Sequence, residues 1–177
     1  MEDQKSTPKQ IMLNNGLMLG IILVVISVAN FAVGDVYKPH WAIQVVSVLI
    51  MIAFIVIGIK KLKESNNNLL SLGQALKTAV GISLIASIII LIYMILFANF
   101  IEPNYIENLI EVNRANMLEK SPNVSDEMLD MQAKGTRDYF YPFLVGGVII
   151  WNLFLGFIFG LITGLIMKKS DEEITSI

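Results

Sequence analysis

The chain has 177 residues, of which 55% are hydrophobic and 16% are charged, and its mean hydropathy is +0.66. Soluble domains average about 45–50% apolar and about 25% charged residues, so this composition favours a membrane protein and argues against a separate soluble domain of ordinary size. The lack of cysteine excludes disulfides and thiolate chemistry, and the net charge of −2, without a basic patch, gives no reason to expect nucleic-acid binding.

Four uncharged apolar runs predict an all-α membrane protein, a single four-helix domain over residues 1–177. The predicted spans are about 15–33, 41–59, 78–100 and 142–167. For the first run we favour an uncleaved helix over a signal peptide, although Ser27-Val28-Ala29 faintly resembles a cleavage site. Glycine and proline are expected to break the chain between the first two spans, at residues 34–40, which makes these spans antiparallel neighbours.

A polar linker at residues 64–77 joins spans two and three. Within it, Ser71 and Gln74 have the spacing of a capping box, in which each side chain satisfies a backbone N–H group of a new helix. The third helix is therefore predicted to begin before its apolar run.

The long loop between spans three and four, residues 101–141, holds eight acidic and four basic residues, a net charge of −4. Its apolar residues follow helical spacing, Ser121-Pro122-Asn123 interrupts them, and Ser125 is placed to cap a second helix. We predict an amphipathic helical hairpin resting on the rim of the bundle, with a bend near Gly135 or Pro142 before span four. Its carboxylates lack the spacing of a calcium loop, so a solvated helical face is the favoured interpretation and no metal site is predicted.

Basic residues indicate the orientation of the spans. Eight lie in the tails and the second linker: Lys5, Lys9, Lys60, Lys61, Lys63, Lys77, Lys168 and Lys169. Five lie in the other two connections: Lys38, Arg114, Lys120, Lys134 and Arg137. The count predicts that both termini are cytoplasmic and that the acidic loop is outside.

Small residues recur at four-residue steps within the spans and predict close helix packing. The candidate packing residues are Gly16, Gly20, Ala79, Ser83, Ser87, Gly156, Gly160 and Gly164. We favour packing inside the bundle, and self-association through the glycine stripes remains open.

Asn152 is the strongest polar group near the middle of a span. A buried amide seeks a hydrogen-bond partner in hydrocarbon, so we favour an interhelical hydrogen bond over a substrate or ion contact. The predicted spans contain no Asp, Glu, Lys, Arg or His, which argues against a proton-coupled pump. The single histidine, His40, is interpreted as a polar residue at headgroup level. No catalytic residue and no cofactor are predicted.

Several segments resemble a known family. They are Lys60-Lys61-Leu62-Lys63-Glu64, Leu70 to Lys77, Phe100-Ile101-Glu102-Pro103, Ser125-Asp126-Glu127, and the final span from Gly156 to Lys169. Nearly the whole chain resembles the bacterial four-span membrane proteins classed as domain of unknown function family 4199. In similar chains glycines are usual where this chain has Asn66, Asn67 and Asn68. The resemblance implies a bacterial cytoplasmic-membrane protein and attaches no activity to these positions.

The leading hypothesis is a non-enzymatic membrane protein that works by association with a second copy or with another envelope protein. The loop hairpin would be its outward contact surface and the glycine stripes its contact within the bilayer. The alternative is a small oligomeric transporter or channel for ions or small solutes, with Asn152, Ser83, Ser87 and Thr163 along the pore. An enzyme acting on lipids is third, because no catalytic group is recognisable.

Overall fold

A computed structural model describes residues 6–33, 36–38 and 40–169 of the chain. Its helices are α1 (Pro8–Val33), α2 (Trp41–Ser65), α3 (Leu72–Leu96), a π-helical turn (Phe97–Ile101), α4 (Tyr105–Lys120) and α5 (Asp126–Met167). Four segments are long and apolar enough to cross a membrane: α1, α2, α3 with its π turn, and α5. The predicted all-α, four-span fold is therefore confirmed. Gly34 and Pro39, to which we attributed the first break, and Lys5 lie outside the described residues.

Helix ends follow local side-chain chemistry more than hydropathy. The predicted capping box is present: the Ser71 hydroxyl accepts a hydrogen bond from the Gln74 backbone N–H, and the Gln74 side chain accepts one from the Ser71 N–H. The turn before this helix contains two asparagines with unusual backbone angles. Asn67 and Asn68 have φ angles of 54° and 63°, a left-handed conformation that asparagine tolerates better than most residues.

The bundle is organised around α3, which lies between α1 and α5, while α2 contacts all three of these helices. The chain after α5 returns to the link between α2 and α3, where Leu70 and Lys169 exchange two backbone hydrogen bonds of 3.0 Å. Lys63 Nζ also donates to the Met167 carbonyl at 2.8 Å. We call this end of the bundle the basic end and the opposite one, which carries α4, the loop end.

The hydrophobic core is concentrated in the half of the bundle at the basic end. Its buried residues are Ile11, Leu19, Met51, Ile55, Ile59, Leu62, Leu70, Ala75, Ala79, Ile82 and Ala86. Glycines permit this packing because they let side chains of neighbouring helices approach the backbone. A Cβ on Gly58 would collide with Ile82 of α3, and one on Gly81 with Met12 of α1.

The predicted hairpin between spans three and four needs correction. Its first limb is α4, but its second limb is not a separate amphipathic helix, because α5 continues without a break from Asp126 through Gly135 and Pro142 to Met167. A proline inside a helix removes one N–H donor, and its ring crowds the carbonyl four residues earlier, yet α5 continues through Pro142. At about 1.5 Å per residue, these 42 residues extend about 63 Å, roughly twice the ~30 Å hydrocarbon core of a bilayer. We call α4 together with residues 126–141 the arm.

Candidate functional site: a neutral cavity at the loop end

The glycine stripe of α5 faces the small residues of α3. A Cβ on Gly160 would lie 2.5 Å from the Cβ of Ala79, and one on Gly164 would lie 2.8 Å from the Cβ of Ala75. Gly156 is in equally close contact with Ser83. The two helices are antiparallel, and the glycine stripe of α5 packs against the small-residue stripe of α3 within one chain.

The stripe of α1 packs on the opposite side of α3, against branched side chains. A Cβ on Gly16 or on Gly20 would approach the Cβ atoms of Ile85 and Ile89 to 2.7 and 2.8 Å. Both glycine stripes thus have partners inside the bundle, and each partner is α3.

The hydroxyl groups proposed as pore-lining are part of these helix contacts. Ser83 and Ser87 are fully buried, and their hydroxyls donate to the carbonyls of Ala79 and Leu84 in the same helix, at 2.9 and 2.8 Å. Thr163 is 7% exposed, in the buried stretch of α5. None of the three lines the cavity described next.

A cavity lies between the four spans in the half of the bundle at the loop end. It consists of two adjoining pockets, its lobes, of about 290 and 330 Å³, which share Ser27 of α1 and Ile43 and Ser47 of α2 as lining residues. We call it the loop-end cavity. The lobe nearer the loop end reaches Tyr105, and the deeper lobe ends on Met51 and Leu155, above the core.

Asn152 lines the deeper lobe, and it does not form the predicted interhelical hydrogen bond within the described part of the chain. Its amide Nδ2 donates to the Val148 carbonyl of its own helix at 2.8 Å. An asparagine side chain can reach a carbonyl one turn earlier in its own helix. This bond satisfies only one of the two amide N–H groups. Its second N–H and its carbonyl oxygen are available to the cavity.

The other polar groups of the cavity have the same arrangement. The Ser27 hydroxyl donates to the Leu23 carbonyl at 2.9 Å, and the Ser47 hydroxyl donates to the Ile43 carbonyl at 2.8 Å. A hydroxyl that has used its hydrogen retains acceptor lone pairs. Asn30 and Gln44 add amides to the two lobes, and none of the described lining residues carries a charge.

Aromatic rings close the cavity at the loop end, and Tyr105 of α4 is central among them. Its ring stacks on Tyr37 at a centroid distance of 5.3 Å and meets Phe97 and Phe140 edge-on at 5.6 and 5.9 Å. The π turn after α3 holds Phe97, which is 5% exposed. Burial, and then the proximity of Tyr37 and Tyr93, raise the pKa of the Tyr105 phenol. Ionisation of Tyr105 is therefore disfavoured, and this side of the cavity stays neutral.

The base of the arm is fixed by polar contacts. Arg137 of α5 donates from Nε and Nη2 to the two carboxylate oxygens of Glu107 in α4, at 2.7 and 2.6 Å. These bonds lower the pKa of the Glu107 carboxyl and raise that of the Arg137 guanidinium. Asn108 donates to the Tyr37 hydroxyl at 2.9 Å, which links the arm to the connection between α1 and α2.

The tip of the arm contains a groove of about 810 Å³ between α4 and α5. Its lining is mixed: Asn113, Asn116, Met117, Lys120, Ser121, Pro122, Asn123, Val124, Met128 and Gln132. Gln132 donates to the Thr136 hydroxyl at 3.2 Å, but its Oε1 atom is buried without a hydrogen-bond partner in the described chain. Residues 6–33, 36–38 and 40–169 also bring together no group of three His, Asp or Glu residues that could hold a metal ion.

Comparison with known proteins identifies a family. The family described as "Protein of unknown function (DUF4199)" matches residues 14–169, which is most of the chain. The chain belongs to the DUF4199 family. No curated protein and no solved structure matches it.

Two polar residues of this DUF4199 chain have roles that sequence reasoning missed. Asn15 is 2% exposed and donates to the Ile11 carbonyl at 2.7 Å, yet nothing in its neighbourhood distinguishes it from a solvent-facing asparagine. His40, interpreted as a headgroup-level residue, is the N-cap of α2, where its Nδ1 accepts from the Ala42 N–H at 3.2 Å. The signal for His40 was present, since a polar residue that follows a break and precedes an apolar run is a capping position.

Proposed function

We propose that this protein is a non-enzymatic, multi-pass protein of the bacterial cytoplasmic membrane that works by association, and that the arm is its contact surface. Both termini would be cytoplasmic and the arm would lie outside. The groove at the arm's tip carries the proposal, because it has a mixed apolar and polar lining and includes Gln132, whose buried Oε1 atom has no hydrogen-bond partner in the described chain. An unpaired buried acceptor is costly, so a partner whose binding opens the limbs and donates a hydrogen bond to this atom would gain affinity.

The reach of the arm supports the same proposal. The apolar part of α5 begins at Pro142, so residues 126–141 would extend about 24 Å beyond it at about 1.5 Å per residue. Met128 and Met131 of this segment are 55% and 67% exposed. Flexible methionine side chains are common on surfaces that bind other proteins.

The glycine stripes give less support to association than the sequence suggested. Gly16, Gly20, Gly156, Gly160 and Gly164 all face α3 of the same chain. A second copy would have to displace α3 in order to reach them. The proposed association is therefore assigned to the arm.

Photocrosslinking in the native membrane tests the association. A photoreactive residue at Asn116, in the groove, should give one discrete crosslinked species, whose mass distinguishes a second copy from another envelope protein. The matched control is the same residue at Ile166, which is 78% exposed on α5 and far from the arm. Failure to crosslink from Asn116, or equal products from both positions, would count against the arm.

Cysteine labelling tests the orientation, and the natural absence of cysteine makes each introduced thiol unique. Lys61→Cys at the basic end should be protected from a membrane-impermeant reagent in intact cells, whereas Glu111→Cys in α4 should react. The reverse pattern would place the arm in the cytoplasm. The proposed direction rests on the surplus of lysines near one end of the bundle.

A second candidate function is a small oligomeric transporter or channel, and the loop-end cavity is the observation that favours it. The cavity places Ser27, Ser47 and Asn152 between the spans, although the core at the basic end separates it from the opposite side. Flux of ions or small solutes through reconstituted liposomes tests it. An Ile55→Ala change, which opens the core, should raise any flux that passes through a single chain.

A further inference from the structure

We propose that the loop-end cavity and the neighbouring face of α5 form one binding site for an uncharged amphiphile, a molecule with a hydroxyl-bearing head and an alkyl chain. The hydroxyl head would occupy the deeper lobe at Ser27, Ser47 and Asn152. The chain would lie on the lipid side of α5. This site is distinct from the arm and does not depend on the association proposed above.

The size of the cavity suits a small head. Each lobe, at about 290 or 330 Å³, is about ten times the ~30 Å³ that one water occupies in the liquid. Binding sites for small ligands begin at about 300 Å³. The same spans are fully packed at the basic end, so the opening is local to the loop half of the bundle.

The lining requires a neutral head. Its described side chains are hydroxyls, amides, phenols and hydrocarbon, and the rings around Tyr105 close the end nearest to water. A charged head would lose its hydration without gaining a counter-charge, and that exchange is strongly unfavourable in an apolar environment. A phosphate-bearing lipid head is thus disfavoured.

The hydrogen-bonding pattern of the deeper lobe favours a group that can both donate and accept a hydrogen bond. The Ser27 and Ser47 hydroxyls each give their hydrogen to a carbonyl one turn away, so their oxygens face the cavity as acceptors. Asn152 contributes its carbonyl oxygen and one N–H. A ligand hydroxyl, which both donates and accepts, fits this set, whereas an ether oxygen can only accept.

An apolar groove on α5 lies next to the deeper lobe and would hold the chain. It has a volume of about 500 Å³ and is lined by Pro142, Phe143, Gly146, Gly147, Ile150, Trp151 and Phe154. A Cβ on Gly146 or Gly147 would meet nothing within 4 Å, so these glycines leave a depression between aromatic rings. Trp151 borders both this groove and the deeper lobe. The two compartments, one apolar and one polar, therefore meet at a single side chain.

Tryptophan fluorescence reports directly on this junction. Trp41→Phe leaves Trp151 as the only tryptophan, in full-length protein reconstituted into unbrominated phosphatidylcholine. The probe is a long-chain primary alcohol carrying bromine on its chain, because bromine quenches indole at short range. We expect saturable quenching by the alcohol, and at least about tenfold weaker binding of the matching methyl ether, equivalent to about 1.4 kcal/mol.

Variants separate the cavity from general contact with lipid. Ser47→Phe fills the cavity at the point shared by both lobes and should abolish the saturable component. Val46→Phe adds the same ring to the adjacent, 47% exposed position of α2 and should not. Asn152→Leu, which keeps the branching of the side chain but removes its polar atoms, should weaken binding of the alcohol about tenfold. It should weaken binding of the ether less, because the ether can use only the Asn152 N–H.

Three results would overturn the proposal. Quenching that rises linearly with the concentration of the brominated alcohol, and is equal in all variants, would come only from alcohol dissolved in the bulk bilayer. Equal affinity for the alcohol and its ether would remove the role assigned to the polar lobe. Saturable quenching by brominated phosphatidylcholine at the same concentration would show that the site accepts ordinary charged-head lipid.

Discussion

At the scale of single residues, the glycines of α5 differ in what surrounds them. Gly160 faces Ala79 so closely that an added methyl group would overlap it, and Leu76 Cα lies only 3.7 Å from the same point. Gly147, between three and four turns earlier in the helix, faces open space. The four-residue stripe in the sequence includes Gly160 and not Gly147, but it does not show which residues face each glycine.

This difference predicts opposite effects of the same substitution. Gly160→Ala should lower the free energy of unfolding by about 1–3 kcal/mol, because the α3–α5 contact is overpacked and its small residues cannot rotate away. Gly147→Ala should be neutral or stabilising by up to about 1 kcal/mol, because alanine favours a helix. The free energy of unfolding of both variants and of the unmodified protein can be measured in the same mixed micelles. Equal destabilisation would mean that α3 and α5 do not pack through this stripe.

At the scale of elements, the arm is held together by a small number of exposed polar contacts between its two limbs. Its interior contains the buried residues Ile110 and Leu129, and Arg114 and Asp126 lie 3.7 Å apart near its tip. The shortest contact is the bidentate pair of Glu107 and Arg137. Since the limbs share so little buried surface, their separation should respond to this pair.

Acidification should loosen the arm, and the sign follows from the pKa of Glu107. The pKa of Glu107 in the folded protein lies below the ordinary glutamate value of about 4.3. The ion pair therefore stabilises the arm fully at pH values above the ordinary pKa, and this stabilisation is lost as the pH falls through the lowered pKa of the folded state. Spin labels on cysteines at Leu118 and Met131 should report longer and broader distances in acid than at neutral pH. Because both partners are exposed, high salt should weaken the effect.

Two carboxamide variants complete this experiment. Glu107→Gln should show the loosened distances already at neutral pH, with little further change in acid. Glu111→Gln, on the same helix and without an ion pair in the described residues, should behave like the unmodified protein. An acid response that survives in Glu107→Gln would assign the effect to another carboxylate.

The elements also show what the sequence could and could not predict. The spans, the Ser71–Gln74 box and the Ser125 cap followed from short-range rules, and the Ser125 hydroxyl indeed accepts from the Met128 N–H. The helix α5 is continuous through Gly135 and Pro142, because these residues lower helix stability without dictating a break, and the bend expected there stays a prediction. The Asn152 bond and the loop-end cavity depend on how the helices separate, which no local pattern specifies.

At the scale of the whole molecule, the bundle is closed at one end and open at the other. In the basic half, glycines of α5 face alanines and a serine of α3, and glycines of α1 face isoleucines of α3, so these backbones approach closely. Towards the loop end, the cavity lies between the spans at Ser27 and Ser47, and the rings around Tyr105 lie beyond it. The small residues visible in the sequence thus mark the densely packed half, and the cavity lies in the other half.

Distances between α2 and α5 should therefore be more variable at the loop end. A spin-label pair at Leu49 and Ile150 reports on the loop half, and a pair at Ile57 and Ile162 reports on the basic half; all four side chains are at least 42% exposed, so labels should not disturb the core. We expect a clearly broader distance distribution for the first pair in lipid nanodiscs. A ligand that fills the cavity should narrow the first distribution and leave the second unchanged. Equal widths for the two pairs would show that the cavity does not loosen the bundle. In that case contacts between α2 and α5 at the rim of the cavity would have to hold the two helices in place.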